Sequence, residues 1–330
     1  MQKLAAPLFV EKSVLHTTDP SISIIITSYS ILRLNDIVDL LRSISNQGNL
    51  ELIQIVLIIE RDKQLFDSIK RFLGEGKWFN FAAIYYKEIG GMSRARNIAT
   101  QYSLGKFLAF LDDDVILCQN WLQTVIRLSS RSDWIGLTGP SSPVWVGEPV
   151  NWFPPELSWV LGSTDWFDNG DEVSIRNAWG NNMVVRKAEF VDVGGFIEDY
   201  GLRSASRTTW TDPPSEDVDL SIRMTRKFKR PILFLPGLKV GHKVLQSKLT
   251  WRFMAQRSYS TGFQRRAIEK LYDRSGEQNI LRMEKSLIPR MLVLIPRSLF
   301  SLFRKPRDNL RILGALVLVL VFSSLGYLKK

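Results

Sequence analysis

From residue 21 onward, short and nearly continuous apolar runs alternate with stretches whose apolar positions recur every three or four residues. Runs of the first kind suit strands buried on both faces, and stretches of the second kind suit amphipathic helices packed against them. Ile22 to Thr27 predicts a strand, and Asn35 to Ser45 a helix with Ile37, Val38, Leu41 and Ile44 on one face. The pattern repeats as a strand at Leu52 to Ile59, a helix at Asp62 to Leu73, a strand at Phe81 to Tyr86, a helix at Ser93 to Tyr102 capped by Ser93, and a strand at Lys106 to Leu111. Serial strand-helix units predict an α/β fold of Rossmann-like character, a mostly parallel sheet flanked by helices. From Ser141 to Trp179 the alternation fails and Trp, Pro, Gly and Asp crowd together, as in a surface excursion that carries specificity. It resumes with a strand at Asn182 to Arg186, a turn at Gly194-Gly195, and a polar loop from Glu198 to Ser215. A helix at Glu216 to Lys227 and a last strand at Ile232 to Leu235 follow, and no solenoid-type repeat is visible.

Beyond residue 245 the periodicity changes character. LTWRFMAQRSYSTGFQRRAIEK predicts a basic amphipathic helix that suits either anionic lipid or the face of the folded domain. Leu287 to Phe303 is apolar but interrupted by Pro289, Arg290, Pro296 and Arg297, the pattern of an interfacial or re-entrant piece. Ile312 to Leu328 is uncharged, with Arg304, Lys305, Arg307 and Arg311 before it and Lys329 and Lys330 after. At about 17 residues it sits at the lower bound of spanning length, so attachment is expected and crossing is left open. These changes divide the chain into an N-terminal extension (1–20), an α/β domain (21–245) and a membrane-associating tail (246–330). Within the domain, the regular alternation ends near residue 140 and a second half runs from 141 to 245. The first twenty residues carry charges where a secretory signal would be apolar, so the domain is expected on the cytoplasmic face.

The 330 residues are 45 % apolar and 23 % charged, a globular balance that excludes a disordered or fibrous chain. A formal net charge of +11 calls for an anionic partner: nucleic acid, a phospholipid surface or a phosphorylated substrate. The basic residues concentrate in the apolar tail, where lipid accounts for them, and no nucleic-acid motif is present, so nucleic acid is not expected as a partner. A single cysteine, Cys118, excludes an intramolecular disulfide and a cysteine-rich zinc site, and fits a reducing compartment.

Candidate chemistry gathers at a few places. The strand ending at Leu111 runs straight into Asp112, Asp113 and Asp114, at the strand end where open α/β sheets bind ligands. Three adjacent carboxylates repel one another unless a cation offsets them; a divalent ion is one solution and a solvated acidic turn is the other. GMSRARNIA at 91–99 offers a close backbone turn, free helix N–H groups and two arginines, suited to a diphosphate or to a plain basic helix face. SEDVDL at 215–220 opens a helix with acids that the macrodipole favours, and paired acids also suit a general base for an acceptor hydroxyl. His242 is a structural residue or a nitrogen ligand beside an acidic metal site. Trp145, Trp152, Trp159, Trp166 and Trp179 fill a core or stack on sugar rings, and the amides of Asn181 and Asn182 suit sugar hydroxyls.

Taken in order, these motifs resemble the glycosyltransferases of family 2, over about residues 21 to 265, which implies a nucleotide-binding half at about 21–140 and an acceptor half at about 141–245. SIIITSYS is similar to the family's opening strand, which implies Thr27 and Tyr29 against the nucleotide base. Glu60 stands where the family places an acid at the base, although this chain has Glu60-Arg61-Asp62 where Asp-Gly-Ser is common. SRARN is similar to the family's helix start, with Arg96 near the diphosphate. The three aspartates resemble the Asp-x-Asp motif, which implies Asp112 as ribose contact and Asp114 as metal ligand; Asp112 and His242 are further candidate metal ligands. WGNNMVVRK followed by GGF resembles the strand and turn lining the sugar and acceptor pocket, implying Trp179, Asn181, Asn182 and Asp113 as donor-sugar or acceptor contacts. SEDVDL resembles the acidic pair that includes the base, Asp217 being preferred over Glu216. The resemblance implies a GT-A fold, a Mn²⁺ or Mg²⁺ cofactor, a nucleotide-sugar donor, a saccharide or lipid-linked acceptor, and an inverting displacement. A sugar-nucleotide nucleotidyltransferase, a basic nucleic-acid-binding protein and a degenerate scaffold are the competing readings.

Overall fold

In the computed structural model, residues 9–12, 19–76, 78, 80–88, 90–167, 170–201, 210–272 and 280–329 are described. The strands are β1 (Phe9–Lys12), β2 (Ile22–Ser28), β3 (Ile53–Glu60), β4 (Asn80–Tyr86), β5 (Phe107–Asp112), β6 (Val115–Leu117), β7 (Gly136–Thr138), β8 (Ser141–Val146), β9 (Val173–Ile175), β10 (Asn182–Arg186), β11 (Ile232–Phe234) and β12 (Val240–Leu245). The α-helices are α1 (Leu34–Ser45), α2 (Lys63–Glu75), α3 (Met92–Gln101), α4 (Trp121–Ser129), α5 (Lys187–Asp192), α6 (Glu216–Phe228), α7 (Trp251–Tyr272), α8 (Arg282–Phe300) and α9 (Pro306–Leu328). Contacts divide the chain into two units. One comprises Met1–Gly139, Asp171–Ala205 and Glu216–Val240; the other comprises Pro140–Gly170, Ser206–Ser215 and Gly241–Lys330.

The first unit holds a nine-stranded sheet in the order β1-β4-β3-β2-β5-β10-β7-β11-β9. Strands β4, β3, β2 and β5 are mutually parallel, as the strand-helix alternation predicts, and β11 is parallel to β7. All eight residues of β3 are buried, which is why its sequence reads as a continuous apolar run with no alternation. Helix α1 lays Ile37, Leu40, Leu41 and Ile44 on the core; α2 does the same with Leu65, Phe66, Ile69 and Leu73. Asp62 caps α2 by accepting from Leu65 N at 2.8 Å, and its other oxygen accepts from Ile31 N at 2.6 Å, tying two strand-end loops together. Strand β10 breaks the parallel order: it lies antiparallel between β5 and β7, with Asn182 opposite Leu111.

In the second unit β8 and β12 are hydrogen-bonded neighbours. An apolar cluster of Leu157, Val160, Met254, Leu287, Met291, Leu294, Ala315, Leu316 and Val319 forms its core, with Trp152, Phe153, Trp159 and Trp166 packed against it. Helices α7 and α9 run side by side in the same direction: Gly314 meets the Trp251 indole at the start, and Gly262 and Gly326 meet the backbones of Ser323 and Tyr259 further along. A methyl group at either of these last two glycines would fall on a carbonyl oxygen of the other helix.

Several expectations change here. The strand at Ile232 is not the last, since β12 follows it, and His242 lies on that strand and not in a turn. Helix α8 runs through Pro289 and Pro296 without interruption, so the prolines that interrupt the apolar pattern lie within a helix. Gly91, not Ser93, caps α3, at a φ of 76° that glycine adopts without strain; the Ser93 hydroxyl instead donates to Tyr200 O at 2.8 Å.

Candidate active site

Thr27, Glu60 and Asp112 stand at the carboxyl ends of β2, β3 and β5, three neighbours in the parallel part of the sheet, with Thr27 opposite Asp112 in register. Tyr29 follows β2 directly and is half-buried. This is the sheet edge where α/β folds present ligand-binding loops. Asp113 and Asp114 form the turn between β5 and β6.

The acidic turn is met by a residue that the sequence reading did not single out. Arg33, from a 3-10 turn after β2, donates from Nη1 to Asp114 Oδ2 at 3.1 Å and to Asp36 Oδ2 at 3.3 Å, and its Nε lies 3.8 Å from Asp113 Oδ1. Asp113 also accepts from Ser28 Oγ at 2.6 Å. Burial pushes the Asp113 carboxyl up to about 7; Arg33 opposes the rise and the neighbouring Asp114 adds to it. The available signal was positional: Arg33 precedes the first turn of α1, where the helix dipole disfavours a cation, so its charge has to be answered elsewhere.

Arg96 joins the acidic strand end to the acidic helix. Its guanidinium, 1 % exposed, donates from Nη2 to Asp112 Oδ1 at 3.0 Å and to Gly180 O at 2.7 Å, and from Nη1 to Glu216 Oε1 at 3.2 Å. The rings of Phe110 and Phe196 lie 5.7 and 5.6 Å from it. The expectation of Arg96 at a diphosphate therefore needs correcting: its side chain is buried and its two terminal nitrogens are engaged by Asp112, Glu216 and Gly180. Glu60, buried at the end of β3, accepts from Gly90 N at 2.9 Å and so holds the glycine turn that launches α3. Burial raises its pKa, against the hydrogen bond from Gly90.

Helix α6 brings the acidic pair. Asp217 is half-buried; its Oδ2 accepts from Gly180 N at 3.0 Å and its Oδ1 from Val218 N at 2.7 Å. Gly180 is thus gripped twice, through its N–H by Asp217 and through its carbonyl by Arg96. Glu216 is buried against Gly201 and paired with Arg96. Burial, then the charge of Asp217, pushes Glu216 up to about 7, with Arg96 opposing.

Other expected contacts separate. The Asn182 side chain is fully buried; Oδ1 accepts from Trp121 Nε1 at 3.0 Å and Nδ2 donates to Leu238 O at 2.6 Å, so it braces the sheet and is not placed to meet a sugar. Asn181 is buried, and Trp179 is half-buried with its ring edge-on to Phe234 at 5.9 Å. His242 belongs to the other unit, buried on β12 with its ring against Gly162. Among the described residues no three His, Cys, Asp or Glu side chains converge as a ready-made metal cage. Asp112 and Asp114 are nonetheless hard oxygen donors at one strand end, the donor chemistry a Mg²⁺ or Mn²⁺ ion takes when phosphate oxygens complete its shell.

A parallel sheet of this order, with carboxylates at the β5 end and an acidic pair on a helix beyond, is the architecture of GT-A glycosyltransferases, and solved structures agree. The mannosyltransferase PcManGT from Pyrobaculum calidifontis, in complex with GDP-Man and Mn²⁺, superposes with a TM-score of 0.61 at 13 % identity, over 93 % of this chain and 88 % of that one. GalNAc-T7 with UDP, GalNAc and Mn²⁺ gives a TM-score of 0.53 at 13 % identity, over 76 % of this chain and 51 % of that one. At such identities the likeness shows the fold.

The sequence profile of glycosyl transferase family 2 matches residues 23–172, so the chain carries a family 2 glycosyltransferase domain. A glucosyl-dolichyl phosphate glucuronosyltransferase of Haloferax volcanii is 21 % identical over 305 residues, 92 % of this chain and 93 % of that protein. An uncharacterized glycosyltransferase of Rickettsia bellii is 26 % identical over 117 residues, 36 % of this chain and 16 % of that one.

Proposed function

We propose that the enzyme is an inverting transferase that moves a sugar from a nucleotide-sugar donor to a lipid-linked saccharide acceptor at an anionic, cytoplasm-facing membrane surface. The observation that carries the reading is the double grip on Gly180: Arg96 and Asp217 bind the acidic strand end and the acidic helix to one backbone segment, which fixes donor-side and acceptor-side carboxylates relative to each other. Such fixation is what a single displacement between two bound partners requires.

Within this reading Asp217 is the general base. It is half-buried and therefore open to an acceptor hydroxyl, and its two backbone N–H donors hold it in place. Glu216, buried and ion-paired, positions Arg96 in place of taking the proton. Asp112 and Asp114 hold a divalent ion, Thr27 and Tyr29 line the nucleotide base, and Asn181, Trp179 and Asp113 border the sugar side. When bound, a divalent ion offsets the charge developing on the departing nucleoside diphosphate. Arg96 keeps Asp112 oriented through a part-buried ion pair, and Glu60 fixes the turn before α3, whose helix N-terminus suits an anion.

The lipid-linked acceptor is supported by the Haloferax volcanii relative, whose name specifies a dolichyl-phosphate-linked substrate and whose likeness runs over nearly its whole length. The C-terminal helix α9, long and apolar enough to cross a membrane by length and composition, supports the surface. The test is a panel of nucleotide sugars with Mn²⁺ or Mg²⁺ and a polyprenyl-phosphate saccharide acceptor. Acceptor-dependent release of nucleoside diphosphate is expected for one donor; pyrophosphate release, or no turnover with any donor, would overturn the reading.

A further inference from the structure

We infer that the α8–α9 segment is a one-leaflet anchor: its apolar face sits among the acyl chains and anionic headgroups of a single monolayer, and α9 does not cross. This deepens the membrane-surface reading above and rests on it. By composition α9 is the obvious candidate for a span, having mean hydropathy 2.0 over its best window. Its packing argues otherwise.

From Gly314 to Tyr327 α9 is joined to α7 in parallel, with contacts at Gly262 and Gly326 too close to admit a methyl group. Near the end of the pair the Tyr327 hydroxyl donates to Glu269 and the Arg266 guanidinium lies 5.3 Å from the Tyr327 ring. Whatever path α9 takes, α7 takes with it, and α7 carries Arg257, Gln264, Arg265 and Arg266 in its middle and C-terminal turns. Its polar side chains are committed to protein partners: Ser260 donates to Asp212 at 2.7 Å, Ser215 to Gln264 at 3.1 Å, and Arg265 pairs with Glu284 at 2.7 Å. An arginine at the bilayer centre costs several times what a leucine there returns, so three of them outweigh the apolar residues of α9. A joined pair of helices with this content does not enter the hydrocarbon core.

One face of the segment does want apolar surroundings. On α9, Leu310, Val317, Val321, Leu325 and Leu328 form an exposed stripe at helical spacing, with Val317 60 % exposed. A shallow apolar groove runs along the same stripe past Gly314. On α8, Ile288, Leu292, Ile295 and Leu299 repeat the pattern, and at the joint Phe300 and Phe303 are 85 % and 96 % exposed. The charges beside these stripes have one sign: Arg290, Arg297, Arg304, Lys305, Arg307 and Arg311 are all exposed, and Asp308 is the lone acid from Lys285 to the last residue. A protein partner of ordinary composition would not explain an apolar face rimmed almost wholly by cations, whereas an anionic monolayer offers both phases.

The test uses the full chain in a Cys118→Ser background with a single cysteine at either end of α9, Arg307→Cys or Lys329→Cys. Inside-out membrane vesicles from expressing cells are treated with a membrane-impermeant maleimide. Both positions are expected to label without detergent; labelling of Lys329→Cys only after detergent would overturn the one-leaflet placement and leave membrane attachment standing. In parallel, flotation with phosphatidylcholine vesicles containing about 30 % phosphatidylglycerol should exceed that with phosphatidylcholine alone by at least tenfold. The double variant Val317→Glu/Val321→Glu should lose flotation at an unchanged unfolding midpoint. No flotation, with a concentration-dependent dimer in sedimentation, would assign the face to a second copy and overturn the membrane reading as well.

Discussion

Asp217 and Glu216 are adjacent in sequence and differ in every physical respect that matters to proton transfer. Asp217 is half-buried and held by two N–H groups, whereas Glu216 is enclosed and tied to Arg96. Asp217→Asn keeps the shape and removes the proton acceptor, so kcat should fall by about 10³ at an unchanged unfolding midpoint, as steady-state kinetics and calorimetry together would reveal. Glu216 and Asp113 both have carboxyl pKa values raised to about 7, chiefly by burial. A raised folded-state pKa means the fold favours the protonated form. Its contribution is therefore whole below the ordinary carboxyl range and is lost as pH climbs through about 7. The metal-free enzyme should lose stability between about pH 5 and pH 8, and Glu216→Gln should flatten its share of that slope, at most about 3 kcal/mol, in urea titrations at each pH. The acids were visible in the sequence because they are clustered; Arg33 was not, because an isolated arginine in a loop has no pattern and gains its meaning only from Asp113 and Asp114 some eighty residues away.

Elements in the first half follow from periodicity alone: β2 to β5 and α1 to α3 emerge within a residue or two of where the apolar pattern puts them. Burial on both faces leaves a strand no choice of composition, and this is why it shows. β8 and β12 were not visible for the opposite reason. β8 (SSPVWV) is only partly buried and includes Pro143, and β12 interrupts its apolar positions with Gly241, His242 and Lys243, so neither makes an apolar run that registers. Asn182 was misread in the same way, since an amide spent on Trp121 and Leu238 has the same letter as one that binds a sugar. The α7–α9 seam hides behind glycines that read as helix weaknesses. Gly326→Ala places a methyl on Tyr259 O and should cost about 1–3 kcal/mol in thermal or urea unfolding, although alanine is the better helix former.

For the molecule as a whole, the tail is not an appendage to be cut away. Ala315, Leu316 and Val319 of α9 belong to the same apolar cluster as Leu157 and Val160, far earlier in the chain. Ending the chain after Arg304 should therefore yield an insoluble or protease-sensitive product, not a soluble catalytic domain, as limited proteolysis and solubility after expression would show. A soluble, active product of that length would mean the cluster is dispensable.

The place of β10 in the sheet has a consequence for how the protein is made. Its five residues pair along β5 on one side and β7 on the other, yet they are synthesised some seventy positions after β5. Until the ribosome has delivered residue 186, the apolar strand FLAFLD has an open flank of unpaired amides, and so does any fragment limited to the stretch that matches the family profile. That flank is a template for the strand of another nascent chain. Yield in a foreign host should thus depend on how quickly synthesis passes the Trp-rich excursion, and slower decoding between residues 141 and 179 would lengthen the interval in which copies join edge to edge.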